Sequence, residues 1–322
     1  MTSAACQVKN QGFRRLAVTR FFRSASCIQH SAFISCVLCT LHFALCTSPP
    51  SSFVRFDEDG HGGGKMQAAI GRYVNDDGIH VDLVSTVHIG EPTFFRQLAK
   101  ALPKYDAVLY ELVAPRGVPP TEEGVNDQQK QIAEDCDLDN QGPHMDYERP
   151  NFVHADLSLE EIQKLVIARE GTFKGALGEG PGLKAARDER DTAGRKEIFA
   201  DLQAARTASP AERTRLLRRA YARQLVVTAQ PVEGTTFPAG AGMDVLVGKR
   251  NDEVIRVLQN QISAGNKNLA IFYGAAHMVD LEHRLLAMGY KRQSLDWQTA
   301  WTVAPNGTPT TQPLHAKRAV GH

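Results

Sequence analysis

The sequence predicts an α/β fold: a mixed central sheet built from two related strand-helix-strand units, with a helical insertion between them. Three observations carry this reading. The stretches from "IHVDLVSTVHI" (79–89) to "YDAVLYELV" (105–113) and from "NLAIFYGAAH" (268–277) to "RQSLDWQTAWTV" (292–303) each read as strand, histidine, helix and second strand, the pattern of a βαβ crossover. Between them, from about residue 156 to 230, the apolar spacing is mainly helical. At 322 residues and 42% hydrophobic, the chain can also bury a sizeable core in one domain, or at most two.

The elements follow in order. "DEDGHGGGK" (57–65) reads as a loop, after which "MQAAIGRYV", the turn "NDDG" and "IHVDLVSTVHI" form two β-rich runs around Asp-Gly, a hairpin. "EPTFFRQLAKAL" (91–102) places apolar residues at 94, 95, 98, 99 and 102, a helical spacing, and Pro92 suits its first turn. "YDAVLYELV" is a short buried strand, so the first unit calls for a parallel pair and a right-handed crossover. Residues 115–150 are polar and turn-rich, a loop or excursion. "SLEEIQKLVIARE" (158–170) opens with Ser158 and has Glu161 three residues on, a capping box. "GTFKGALGEGPGL" (171–183) is a glycine-rich hinge, and helical patterns then cover 183–207 and, after Ser209-Pro210, 210–229. "MDVLVGKRNDEVIRVLQNQI" (243–262) is a helix or a short strand feeding one. "MVDLEHRLLAMGY" (278–290) is a helix, "RQSLDWQTAWTV" closes the sheet, and 306–322 read as a disordered tail.

Charge and cysteine are concentrated at the start. The net charge is +1, yet residues 1–56 hold no acid, and residues 51–322 carry 32 basic against 36 acidic groups. A mildly acidic body argues against nucleic acid as a partner, and the basic run "ERTRLLRRAYAR" (212–223) reads as a solvated helix face. Five of the six cysteines lie before residue 50; Cys136 is alone in the body, which excludes a disulfide scaffold. Cys136 sits among carboxylates, which makes it a poor nucleophile. Within residues 1–50 a basic lead reaches Arg23, and "AFISCVLCTLHFALC" (32–46) follows, too short and too often interrupted for a spanning helix. It suits a signal segment cleaved after Cys46, hence export with possible membrane association through this segment; an organelle transit peptide is the alternative.

In open α/β sheets ligands bind outside the carboxyl ends of the strands. His88 and His277 both stand there, each after an apolar strand, and Glu111 ends the strand between them in sequence. A carboxylate at the end of an apolar strand is costly to bury unless it is paired or binds something. Glu111 therefore either forms an ion pair, with Arg116 or Arg250 for example, or serves the site. Arg250 falls near a helix start, where the macrodipole disfavours a cation. Glu91, three residues after His88, and the pair His154 and Asp156 in "VHAD" also have metal-ligand chemistry. "HGGG" (61–64) has no G-x-S-x-G elbow to serve, and H-E-x-x-H and a Walker lysine motif are absent from the sequence.

In this setting "STVH" (85–88), "YE" (110–111), "KRND" (249–252) and "GAAH" (274–277) fall in an order that resembles the TraB/PrgY, GumN and Tiki superfamily, which is distantly similar to erythromycin esterases and ChaN-like proteins. That pattern is a Gly-x-x-His motif ending one strand, a Glu ending the next, an Arg in a helix and a second Gly-x-x-His; here Ser85 stands where the first motif has glycine. The resemblance implies a metal-dependent, Tiki-like hydrolase acting on a peptide or small-molecule substrate. His88, His277 and Glu111 would hold a divalent ion (Mn, Co or Zn), with Glu111 as ligand or general base and Arg250 stabilising the oxyanion. Two alternatives stand beside it: a metal-free esterase-like hydrolase with one His as base, oriented by Glu111, and a protein that binds metal or haem without turnover.

Overall fold

The computed structural model describes residues 52–118, 127–170, 192–231, 234–238 and 242–308, all within one compact unit, Thr47–His322. The chain runs β1 (Val54–Glu58), β2 (Gly64–Val74), β3 (His80–Thr86), β4 (Ile89–Gly90), α1 (Pro92–Ala101), β5 (Ala107–Tyr110), α2 (Asp127–Cys136), β6 (Asp139–Asn140) and β7 (Phe152–His154). Then come α3 (Leu159–Glu170), α4 (Thr192–Ala204), α5 (Pro210–Ala229), a π-helical turn (Asp244–Lys249) leading into α6 (Arg250–Ser263), β8 (Asn268–Gly274), α7 (Ala275–Ala287) and β9 (Lys291–Val303). Apart from the small β4–β6 ribbon, the strands make one mixed seven-stranded sheet.

Long β2 carries antiparallel β9 along one edge; on the other, β1 pairs with its first half and β3 with its second. From β3 outward the sheet is parallel, in the order β3-β8-β5-β7. Sequence reading expected β3 and β5 to form a pair. They are parallel but separated by β8, whose run Leu269–Tyr273 is buried throughout, as the centre of a parallel sheet covered on both faces requires.

The crossover β3-α1-β5 passes over β8, and β8-α7-β9 returns over β3 and β2 to a strand parallel with β8. Two right-handed crossovers in opposite directions put their helices on opposite faces. Packing agrees: Phe94, Phe95 and Leu98 of α1 join Val84, Val108 and Phe272, while Met278, Leu281 and Leu285 of α7 join Leu83, Leu109 and Ile271. Adjacent strands β3 and β8 thus send their chains to opposite faces, which makes their C-terminal ends a topological switch point.

Several expectations need correction. Asp57 and Glu58 lie on β1, and the stretch read as loop at 115–150 contains α2 and β6, with β7 just after it. Residues 244–263 are helical throughout, so no strand feeds α6. The capping box forms: the Ser158 amide donates to Glu161 Oε2 at 2.8 Å and the Glu161 amide to Ser158 Oγ at 3.2 Å. The glycine-rich hinge, the N-terminal segment up to Ser51 and the tail from residue 309 lie outside the described residues. Cys136 is buried, and burial, aided by Asp135, pushes its thiol up to about 12 despite Arg218. Among the described residues no helix is long and apolar enough to cross a membrane.

Candidate active site at the strand ends

The parallel order β3-β8-β5-β7 brings four strand ends side by side, and the residues just past them converge. Tyr110 ends β5 against Phe272 of β8, so Glu111 emerges beside Gly274. Its Oε2 accepts the Gly274 amide at 2.7 Å and its Oε1 accepts Arg250 Nη2 at 2.6 Å. His277, on the first turn of α7, has Nε2 3.6 Å from Glu111 Oε1. His88 comes off β3 and is exposed. A Cβ placed on Gly274 would stand 3.1 Å from Glu111 Oε2 and 4.0 Å from His88 Nε2. Glycine at 274 therefore leaves the Glu111 carboxylate room to close over the strand end.

Arg250 is the hub. Its Nε donates to Asp156 Oδ1 at 2.9 Å, its Nη2 to Asp156 Oδ2 at 2.7 Å as well as to Glu111, and its Nη1 to His277 Nε2 at 3.1 Å. The Asp156 side chain is 0% exposed and also accepts the amides of Leu112 and Leu157, so it locks the segments after β5 and β7 to the guanidinium. Arg116 pairs instead with Glu253. The macrodipole objection to Arg250 does not apply, because the π-helical turn continues into α6 and places it inside a helix.

Electrostatics follows from burial and these contacts. Burial pushes the Glu111 carboxyl up, but Arg250, His277, His88 and the Gly274 amide outweigh it and hold it well below the usual carboxylate range. Burial drives His277 down to about 4, against the pull of Glu111. A neutral His277 accepts from Arg250 at Nε2 and donates from Nδ1 to Asn251 Oδ1 at 2.7 Å. Asn251 is itself buried, giving Nδ2 to the His277 carbonyl and to Asp280.

The remaining candidates are elsewhere or otherwise engaged. Glu91 accepts the Thr302 amide at 3.1 Å and Arg218 at 3.3 Å, tying α1 to β9 and α5. His154 donates from Nε2 to the Leu112 carbonyl at 2.6 Å, which leaves its buried Nδ1 without a partner. Ser85 is buried within β3, its Oγ unpartnered. Sequence reading missed Asn251, Gln141 and Tyr147. Only Asn251 had a signal, its place in "KRND" beside Arg250. Gln141 closes the His88 side: its amide donates to the His88 carbonyl at 2.9 Å and its Oε1 accepts Thr86 Oγ1 at 2.7 Å.

A divalent ion shared by His277 and Glu111 would stand roughly 2.0–2.2 Å from Nε2 and from a carboxylate oxygen. The guanidinium already occupies that side, facing both His277 Nε2 and Glu111 Oε1. Two cations in so small a space repel, so the side of Glu111 that faces His277 does not fit an ion while Arg250 is in place. Among the described residues no group of three His, Cys, Asp or Glu side chains is disposed to hold one. No protein-family model, curated protein or solved structure matches the chain.

Proposed function

We propose that the chain is a hydrolase of ester or amide bonds that works without a metal. His88 is the base that activates water, and Glu111 is the fixed anion behind it. One observation carries this reading: an ionised carboxylate, pinned by the Arg250 guanidinium and the Gly274 amide, lies at a topological switch point beside the exposed His88. As His88 takes the proton from water it becomes a cation, and a neighbouring anion that cannot move away favours that form. His277 is unsuited to be the base. It is 5% exposed, and Arg250 takes its lone pair. Its part is to position Arg250. The resemblance to the TraB, GumN and Tiki group, with its esterase relatives, is consistent with hydrolysis and leaves the peptide or small-molecule substrate open.

The test is turnover of 4-nitrophenyl esters and a peptide library by purified protein, with chelator and with added Mn, Co or Zn. The expected result is turnover that survives chelation and is lost in His88→Ala and Glu111→Gln. Turnover that requires added metal, with Arg250→Met binding more of it, would move the site to the metal-dependent reading. Full activity in both variants would end the histidine–glutamate centre.

A further inference from the structure

A hydrolase needs a hydrogen-bond donor where the carbonyl oxygen becomes an oxyanion, and Arg250, the sequence-level candidate, is poorly free to act. Its Nε and Nη2 are committed to Asp156 and Glu111, and its Nη1 to His277. Tyr147 lies on the loop before β7, at the same strand ends. Its ring packs 5.0 Å from that of Tyr110, the residue preceding Glu111, and 5.9 Å from that of Phe152. Gln141, which holds the His88 carbonyl and Thr86, donates from Nε2 to the Tyr147 hydroxyl oxygen at 2.8 Å. That bond uses one of the oxygen's lone pairs and turns the hydroxyl proton away from Gln141. Among the described residues this proton has no acceptor, so it is available to an incoming group.

We propose that Tyr147 is a further catalytic residue: its hydroxyl donates the hydrogen bond that the substrate carbonyl oxygen accepts as it gains negative charge. This rests on the hydrolase reading above. In the step, the water oxygen bonds to the carbonyl carbon, the carbonyl π pair moves onto oxygen, and the water proton passes to His88 Nε2. On collapse the carbonyl re-forms, the bond to the leaving group breaks with its pair, and the leaving group takes the proton from His88. Tyr147 keeps its own proton throughout. Burial, aided by the nearby Glu111 and Tyr110, pushes its phenol up to about 12 despite the bond from Gln141, so it remains a donor across the working range.

The test is Tyr147→Phe in the full chain, with 4-nitrophenyl acetate and alkyl acetates as probes. Loss of one oxyanion donor lowers kcat by about 100-fold or more. The loss should be similar for good and poor leaving groups, with KM little changed and the acid limb of the pH profile in place. A tyrosine that only braces Gln141 would shift KM or that limb instead. Should Tyr147→Phe fail to fold, 3,5-difluorotyrosine at 147 keeps ring and hydroxyl but acidifies the phenol, and a basic limb of kcat should move to lower pH. Wild-type turnover with a Tyr147→Phe kcat within twofold of it, or an unmoved basic limb in the fluorinated protein, overturns the role of Tyr147 alone. A wild type without turnover on any probe overturns the hydrolase reading and this role together.

Discussion

Arg250 joins two carboxylates and an imidazole, and its removal should be felt first in stability. Arg250→Met strands the buried Asp156 and Glu111 charges, and breaking such a set costs about 3–5 kcal/mol, read as a lower urea midpoint. Replacing the carboxylates as well, with Asp156→Asn and Glu111→Gln, should recover much of that loss. His277 gives stability a pH dependence. Its imidazole titrates near 4 when folded and near 6.5 when unfolded, so between those values the unfolded chain binds the extra proton. Stability is fully present above pH 6.5 and falls by about 3 kcal/mol as pH drops to 4; Glu111, held low in the fold, adds its loss only below its unfolded value. His277→Gln should flatten the upper part of that curve in urea titrations at stepped pH. Gly274 takes ordinary helix-start dihedrals, so Gly274→Ala should fold. Its methyl would press on Glu111 Oε2 from 3.1 Å, and turnover should fall by about tenfold or more, since small misplacements of reacting groups are costly.

The helical insertion is held to the sheet by arginines on α5. Arg218 donates to the carbonyls of Cys136, Asp137 and Thr302 and to Glu91, while Arg215 and Arg219 both reach the Gly62 carbonyl. The basic run read as a solvated face is in large part a docking face. Arg218→Ala removes the donor from the carbonyl of buried Cys136 and should cost about 1–3 kcal/mol. Amide exchange should quicken in α4 and α5 before β8. Sequence legibility divides along the same line. Locally coded elements were readable: the β2–β3 hairpin from its Asp-Gly turn, α1 from its apolar spacing, α3 from its capping box. Short strands β1 and β7 were not, because five and three residues carry too little periodicity and their pairing is long-range. The insertion of β8 between β3 and β5 was equally hidden, since no local signal names a strand's neighbour. At the site, His88, Glu111 and His277 were legible as polar residues at strand ends, and Arg250 as a cation near a helix start. Asp156 was legible as a residue but not as the partner of Arg250, and Tyr147 sits in an aperiodic loop that offered nothing.

For the molecule as a whole, the first strand of the sheet begins at Val54. A chain starting at Ser51 is therefore expected to keep the full-length thermal midpoint; a marked drop would mean that residues 1–50 contribute to the fold. The placement of β8 has another consequence, one of timing. Residues 80–86 and 107–110 leave the ribosome long before residues 268–274, yet the latter must lie between them. Until the last fifth of the chain has been made, β3 and β5 have no shared partner, and each keeps an open parallel edge of the kind that invites wrong pairing. The strand-end cluster is equally incomplete, because His277 and the Gly274 amide arrive with that same segment. A nascent or truncated chain ending before residue 268 is thus expected to be both aggregation-prone and silent. The enzyme proposed here would acquire its activity and its solubility in a single late event of synthesis.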